Sequence, residues 1–143
     1  MQTTLIIILT LHVLSGVFWA GTTFALARTG GSQAALFFRP QMAAAAVAIA
    51  TGGLLWILLH HGPLGTPGHL LAIGTLGAFL AAGVQGAMVA PALRKLSVLG
   101  QAEGSRWRYR VASGQRIAAA LLALTVTCMR RPVTLDEQRE WVA

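Results

Sequence analysis

The stretch TLIIILTLHVLSGVFWAGTTFALA, residues 4–27, decides the fold class. It holds no Asp, Glu, Lys or Arg, and its apolar run is broken only by Thr, Ser, Gly and a single His. At 1.5 Å per helical residue, about 20 apolar positions cross a hydrocarbon layer roughly 30 Å thick, so this segment is long enough to span one. The triplet Ala25-Leu26-Ala27 has the small-x-small form of a signal-peptidase site. A secretory leader, however, starts with positive charge and carries an apolar stretch of only about 7–15 residues, so the sequence predicts a retained helix.

Three more apolar runs follow, over residues 41–59, 70–93 and 111–129, and a polar tail occupies 132–143. The runs are separated by turn-forming residues: Gly30-Gly31-Ser32 and Arg39-Pro40, then His60-His61-Gly62-Pro63 and Gly65-Thr66-Pro67-Gly68, with Arg131-Pro132 closing the last. Glycine serves turns, and proline is tolerated in a helix's first turn, where its missing N–H costs nothing. The pattern predicts a single membrane domain over 1–143, an all-α integral membrane four-helix bundle with helices near 4–27, 41–59, 70–93 and 111–129.

Composition agrees. Of 143 residues, 55% are hydrophobic and 10% charged, where a soluble domain carries about 25% charged residues; mean hydropathy is +0.66. A net charge of +7 would point to nucleic acid in a soluble protein, since a basic face attracts phosphate. Here the cations sit between apolar runs, with no zinc-finger spacing and no continuous basic helix, so no nucleic-acid partner is expected. Cys128 is the only cysteine. It permits no internal disulfide, and the missing Cys-x-x-Cys-His motif excludes covalent c-type haem.

The charges between runs are asymmetric. Arg28 and Arg39 lie between the first and second, and Arg94, Lys95, Arg106, Arg108 and Arg110 between the third and fourth, against one Glu103; none lies between the second and third. The excess of Lys and Arg in cytoplasmic loops predicts an N-out, C-out orientation in a bacterial-type inner (plasma) membrane. Small residues recur inside the runs, with Gly74, Ala78, Ala82 and Gly86 at every fourth position and Ala43–Ala46 and Gly52-Gly53 in the second. They let helices approach closely in lipid, or leave room for a flat cofactor between helices.

His12 is the informative residue. The assigned topology puts it about 12 Å below the outer boundary, a depth at which an ionisable side chain defaults to a functional role. Neutral imidazole commonly ligates metals and haem iron; the plainer reading is a hydrogen bond to a carbonyl or hydroxyl of a neighbouring helix. His12, Ser15, Gly16, Trp19 and Thr23 share one helix face, with Gly16 leaving a gap below the imidazole and Trp19 forming an aromatic wall. Gly52, Trp56 and His60 follow one another at spacing four, which makes His60 the second-ligand candidate. His61, His69, Cys128 and Met129 sit at the same outer level, where soft ligands and imidazoles suit copper.

Arg28, at the inner end of the first helix, reads as a partner for a haem propionate or lipid phosphate, or as a topology anchor. Gln85 is the one strongly polar side chain deep in the third run, and Gln115 and Arg116 lie near the start of the fourth. Buried amides need partners, so Gln85 either cross-links helices or contacts a ligand. Trp56, Trp107 and Trp141 read as interfacial belt residues.

The run Leu11-His12-Val13-Leu14-Ser15-Gly16-Val17-Phe18-Trp19-Ala20-Gly21, followed by Arg28, resembles the first core helix of the superfamily joining HemJ-type protoporphyrinogen oxidases to CopD-like copper-resistance membrane proteins. Arg130-Arg131-Pro132 is similar to the basic-residue-plus-proline end of their last helix. The resemblance covers four helices in order and length, with its specific motif in the first. It implies that His12 is an axial ligand to b-type haem and, for the oxidase branch, that the activity is protoporphyrinogen oxidation. The chain departs from that branch at Gln85, where a histidine is expected, and at Gly114-Gln115-Arg116-Ile117, where an Asn-Glu-x-Pro-like run is expected.

The expected function is therefore that of a haem b membrane protein, an oxidoreductase or electron carrier. His12 would ligate iron with His60 as second metal ligand, and Gly16, Trp19, Arg28 and Gln85 would line the cofactor site. The bilayer and a membrane redox partner or second copy are the expected partners. A copper-handling membrane protein and an accessory subunit of a larger membrane complex are the alternatives.

Overall fold

The computed structural model describes residues 2–59, 66–98 and 104–129, and every regular element among them is helical. These are α1 (Gln2–Arg28), α2 (Ala34–Leu59), α3 (Thr66–Val84), a single π-helical turn (Gln85–Val89), α4 (Ala90–Leu96) and α5 (Ser105–Met129). Since α3, the π turn and α4 follow without a break, the chain folds as an all-α bundle of four rods. Each rod contains a stretch long and apolar enough to cross a membrane, of 27, 26, 28 and 24 residues in chain order.

Apolar side chains face outward as well as inward. Leu14 and Val17 of α1, Ile57 of α2, Leu76 of α3 and Val126 of α5 are each more than half exposed. A soluble monomer rarely exposes a contiguous apolar patch beyond a few hundred Å², so this surface suits lipid. The interior is built largely from small residues. One cluster joins Trp19, Ala45, Ala48, Ala81, Ala118 and Leu122; a second joins Leu26, Ala34, Val89, Ala92 and Val111 nearer the basic end.

Close approach is the packing rule. A Cβ on Gly77 would stand 2.6 Å from Thr125 Oγ1, and one on Gly114 would stand 2.8 Å from Val89 Cγ2. These glycines set α3 and the π turn directly against α5, as van der Waals association in lipid requires. The four-residue stripe expected on the third rod is only partly used. Gly74 is buried, Ala78 and Ala82 are half-buried against the core, and Gly86 is exposed. The buried line runs instead through Gly74, Gly77, Ala81, Gln85 and Val89, one step of three followed by three steps of four, the last across the wider π turn.

The α1–α2 connection is tighter than the expected 28–40 connector. Gly30 (φ 65°) and Gly31 (φ 76°) close α1 in the left-handed region, and Gly31 N–H donates to Leu26 O at 2.8 Å, a Schellman-type ending. Helix α2 then starts at Ala34 and carries Pro40 in its second turn. Helix α5 begins at Ser105, ahead of the expected 111, so Arg106, Arg108 and Arg110 are helical and exposed. Arg110 lies over the Trp107 ring at 5.8 Å.

The π turn has a local cause. Pro91 has no N–H to give the carbonyl four residues back, and its ring crowds that carbonyl. The backbone widens just before it, with the Ala90 N–H reaching Gln85 O. Such one-turn bulges often mark functional positions, and this one presents Gln85 to the centre of the bundle.

Candidate functional site

His12 is half-buried on α1 and seated against α2. Its Nδ1 lies 2.9 Å from Ala48 O and 3.2 Å from Thr51 Oγ1. Ala48 O can only accept, and the Thr51 hydroxyl gives its own proton to Val47 O at 2.6 Å. Nδ1 is therefore the protonated nitrogen, and in the neutral ring Nε2 keeps its lone pair. Gly52 makes the seat possible: a Cβ there would stand 3.0 Å from His12 Cε1 and 3.4 Å from Nδ1. The plainer expectation, a bond to a neighbouring carbonyl and hydroxyl, thus describes one edge of the ring.

The other edge is left for chemistry. Among the described residues Nε2 has no hydrogen-bond partner, and no buried side-chain nitrogen or oxygen is unpaired, so Nε2 is not sealed in the packing. The imidazole lines a cleft of about 470 Å³ between α1, α2, α3 and α5, together with Gly16, Trp19, Gly52, Trp56, Thr75 and Thr125. That volume lies within the roughly 300–1,000 Å³ of small-molecule sites. A groove between α2 and α3 adjoins it, sharing Gly52, Gly53, Trp56 and Thr75.

Three polar side chains of the cleft wall, those of His12, Thr75 and Thr125, have a common character. Thr75 and Thr125 donate their hydroxyl protons to their own helices, at Leu71 O and Leu121 O (both 2.9 Å). With Nδ1 of His12 also committed, these three side chains offer the cleft only lone pairs. Such a wall suits a metal-centred group or a hydrogen-bond donor.

Gly16 sits in the open part of the cleft, and a Cβ there would meet nothing within 4 Å, which agrees with the expected gap below the imidazole. Trp19, seven residues and about 10 Å along α1 from His12, is 3% exposed and forms part of the wall. Ser15 turns its hydroxyl back to Leu11 O at 2.6 Å. Trp56 lines the cleft, and Trp107 packs beside the basic-end core. Arg28 is exposed, sixteen residues and about 24 Å along α1 from His12; the structure does not bring these two together. His60 and His61 lie outside the described residues, as do Trp141, the 132–143 tail and the side chain of Met129. His69 is exposed and Cys128 half-buried, and among the described residues no three His, Cys, Asp or Glu side chains gather into a metal-binding group.

Gln85 does not line the cleft. It belongs to a buried polar knot supplied by all four rods. Trp19 Nε1 donates to Gln85 Oε1 at 2.8 Å, and Gln85 Nε2 donates to Thr23 Oγ1 at 3.0 Å and to Gln115 Oε1 at 3.3 Å. Gln41 Nε2 reaches Thr23 Oγ1 at 2.7 Å, and Gln115 Nε2 returns to Gln41 Oε1 at 3.3 Å. Thr23 passes its proton to Trp19 O at 2.7 Å. Gln41, Gln85, Gln115 and Thr23 are all 0% exposed. Of the two readings of Gln85, the cross-link is the one with contacts. Gln41 was legible only as the first residue of an apolar run; its register with Ala45, Ala48 and Gly52, at steps of four, three and four, is the signal that places it on the inner face.

Compared with protein-family models, with curated proteins and with solved structures, the chain matches none.

Proposed function

We propose that this chain is a multi-pass membrane protein that holds b-type haem in the cleft beside His12, and that it serves electron transfer or a porphyrin-linked oxidation. The observation that carries the reading is the state of one ring that lines an apolar cleft: Nδ1 is anchored to a backbone carbonyl, so Nε2 is the nitrogen with a lone pair to offer. Histidines that ligate metals are oriented in this way by a hydrogen bond from the other ring nitrogen. The seat supports the fit, since Gly52 lets the imidazole lie against α2 and Gly16 leaves the space below it empty of side chain.

His12 would hold the iron through Nε2, and Gly16, Trp19 and Trp56 would bound the ring. A bound haem supplies the one-electron redox chemistry, and the protein supplies orientation and an apolar surround. Ala48 O and Thr51 Oγ1 fix the imidazole's tautomer and plane. No cation lines the cleft among the described residues. Arg28, Arg39, Arg94, Lys95, Arg106, Arg108 and Arg110 are exposed at the opposite end of the bundle. Their placement supports the N-out, C-out orientation in a bacterial-type plasma membrane.

The test is purification from membranes of haem-replete cells. Red protein with a Soret band that His12→Ala abolishes is expected. Full haem content in His12→Ala would overturn the ligand assignment. Colourless protein carrying copper, or metal-free protein with co-purifying membrane subunits, would replace the haem reading with the copper-handling or accessory-subunit one.

A further inference from the structure

We infer that Gln85 is a positioning residue for the cleft, acting through Trp19. The indole is part of the cleft wall, and its only N–H is held by Gln85 Oε1 at 2.8 Å. An indole has one donor and no acceptor, so this bond fixes which way the ring faces about its long axis. Gln85 is fixed in turn, because both protons of its amide nitrogen are used, one on Thr23 and one on Gln115. The π turn that begins at Gln85 is the backbone device that delivers this amide. The chain Gln115–Gln85–Trp19 therefore links α5 and the third rod to the floor of the cleft without Gln85 touching any ligand.

Alternatives within the knot do not have this property. Gln41 meets Thr23 and Gln115 but not Trp19, so it stabilises the same bundle without holding the indole. The pair Gln85 and Gln41 thus separates positioning from stability. The cofactor arm of the inference rests on the haem reading; the indole arm does not.

The experiment uses the full chain in lipid nanodiscs with Trp56, Trp107 and Trp141 replaced by Phe, leaving Trp19 as the sole indole. In Gln85→Leu, Gln85→Glu and Gln41→Leu, Trp19 emission is measured in this background and haem affinity in the chain that keeps all its tryptophans, since Trp56 lines the cleft. Gln85→Leu is expected to shift Trp19 emission to the blue, since the indole loses its acceptor, and to weaken haem binding about tenfold, equivalent to about 1.4 kcal/mol. Gln41→Leu is expected to lower the unfolding temperature while leaving emission unshifted and haem affinity within twofold. Gln85→Glu keeps an oxygen for the indole but gives up the amide protons that fix it on Thr23 and Gln115, so its Trp19 emission also departs from the parent's and reports the contact even if the leucine variant fails to fold. Emission unmoved in a folded Gln85→Leu, or unmoved in Gln85→Glu, overturns the inference. If the parent binds no haem but the emission pattern holds, the haem reading fails and the positioning of Trp19 stands.

Discussion

Two adjacent glycines give the sharpest check on the His12 seat. Gly52 and Gly53 have the same helical backbone, yet a Cβ on Gly52 would lie 3.0 Å from His12 Cε1 while one on Gly53 would meet nothing within 4 Å. Carbon–carbon contacts are favourable near 3.5–4.0 Å, so Gly52→Ala must push the imidazole away and stretch its 2.9 Å bond to Ala48 O. Overpacking of this kind costs about 1–3 kcal/mol, against a gain of about 1 kcal/mol from replacing glycine by alanine inside a helix. Gly53→Ala collects the gain alone. The two variants should therefore differ by about 1–3 kcal/mol in stability, on the order of 3–9 °C in unfolding temperature. Thermal unfolding of detergent-solubilised protein measures this difference. Nitrogen NMR of the His12 ring reports the bond, with the Nδ1 resonance moving in Gly52→Ala and not in Gly53→Ala. If both alanines stabilise equally and the ring resonance is the same in each, His12 is not packed on Gly52, and the assignment of its free edge to the cleft falls with it.

Further outcomes follow from the same contacts. Gly16→Leu, which meets no protein atom at its Cβ, should leave the fold intact but fill the cleft and abolish haem binding, read by the Soret band of a monodisperse sample. Gly77→Val should cost about 1–3 kcal/mol by driving a side chain into Thr125 Oγ1, and Thr125→Ala should restore part of the lost unfolding temperature. Gln41→Leu and Gln115→Leu should each destabilise by about 1 kcal/mol, the scale of interhelical hydrogen bonds in membranes. A double-mutant cycle between them should show coupling, because they bond each other in both directions; strictly additive losses would mean the two amides do not meet.

The four rods were legible because the property that makes them, long uncharged apolar runs, is local. Their ends were less so. Arg106, Arg108 and Arg110 read as a loop by charge, but nothing in Ser105–Arg110 breaks a helix, and α5 continues through them. Pro40 reads as a start, whereas the paired left-handed glycines had already reversed the chain and let α2 begin at Ala34. At the site, the shared face of His12, Gly16 and Trp19 follows from helical spacing alone. The partners of His12 and Gln85 do not: a backbone carbonyl at Ala48 carries no sequence mark, and the amide of Gln115, legible in the fourth run, carries no sign of which helix it meets. They become visible only when α2 and α5 are set beside α1. The small-residue stripe on the third rod was right in part: Gly74 is buried and Ala78 and Ala82 pack on the core, while Gly86 is exposed and Gly77 and Ala81 take the closest contact.

The knot of amides also bears on how the protein is made. A chain entering the membrane from its N-terminus delivers Gln41 with α2, Gln85 with the third rod, and Gln115 only when α5 arrives. Until then Gln41 and Gln85 have Thr23 and Trp19 of α1 but lack Gln115, and the part of their hydrogen bonding that Gln115 completes must be met by water, lipid headgroups or an insertion chaperone, because hydrocarbon offers none. A nascent chain stalled before Ser105 therefore displays unsatisfied polar groups that the finished bundle hides, giving cellular quality control a chemical mark by which to tell an unfinished copy from a mature one.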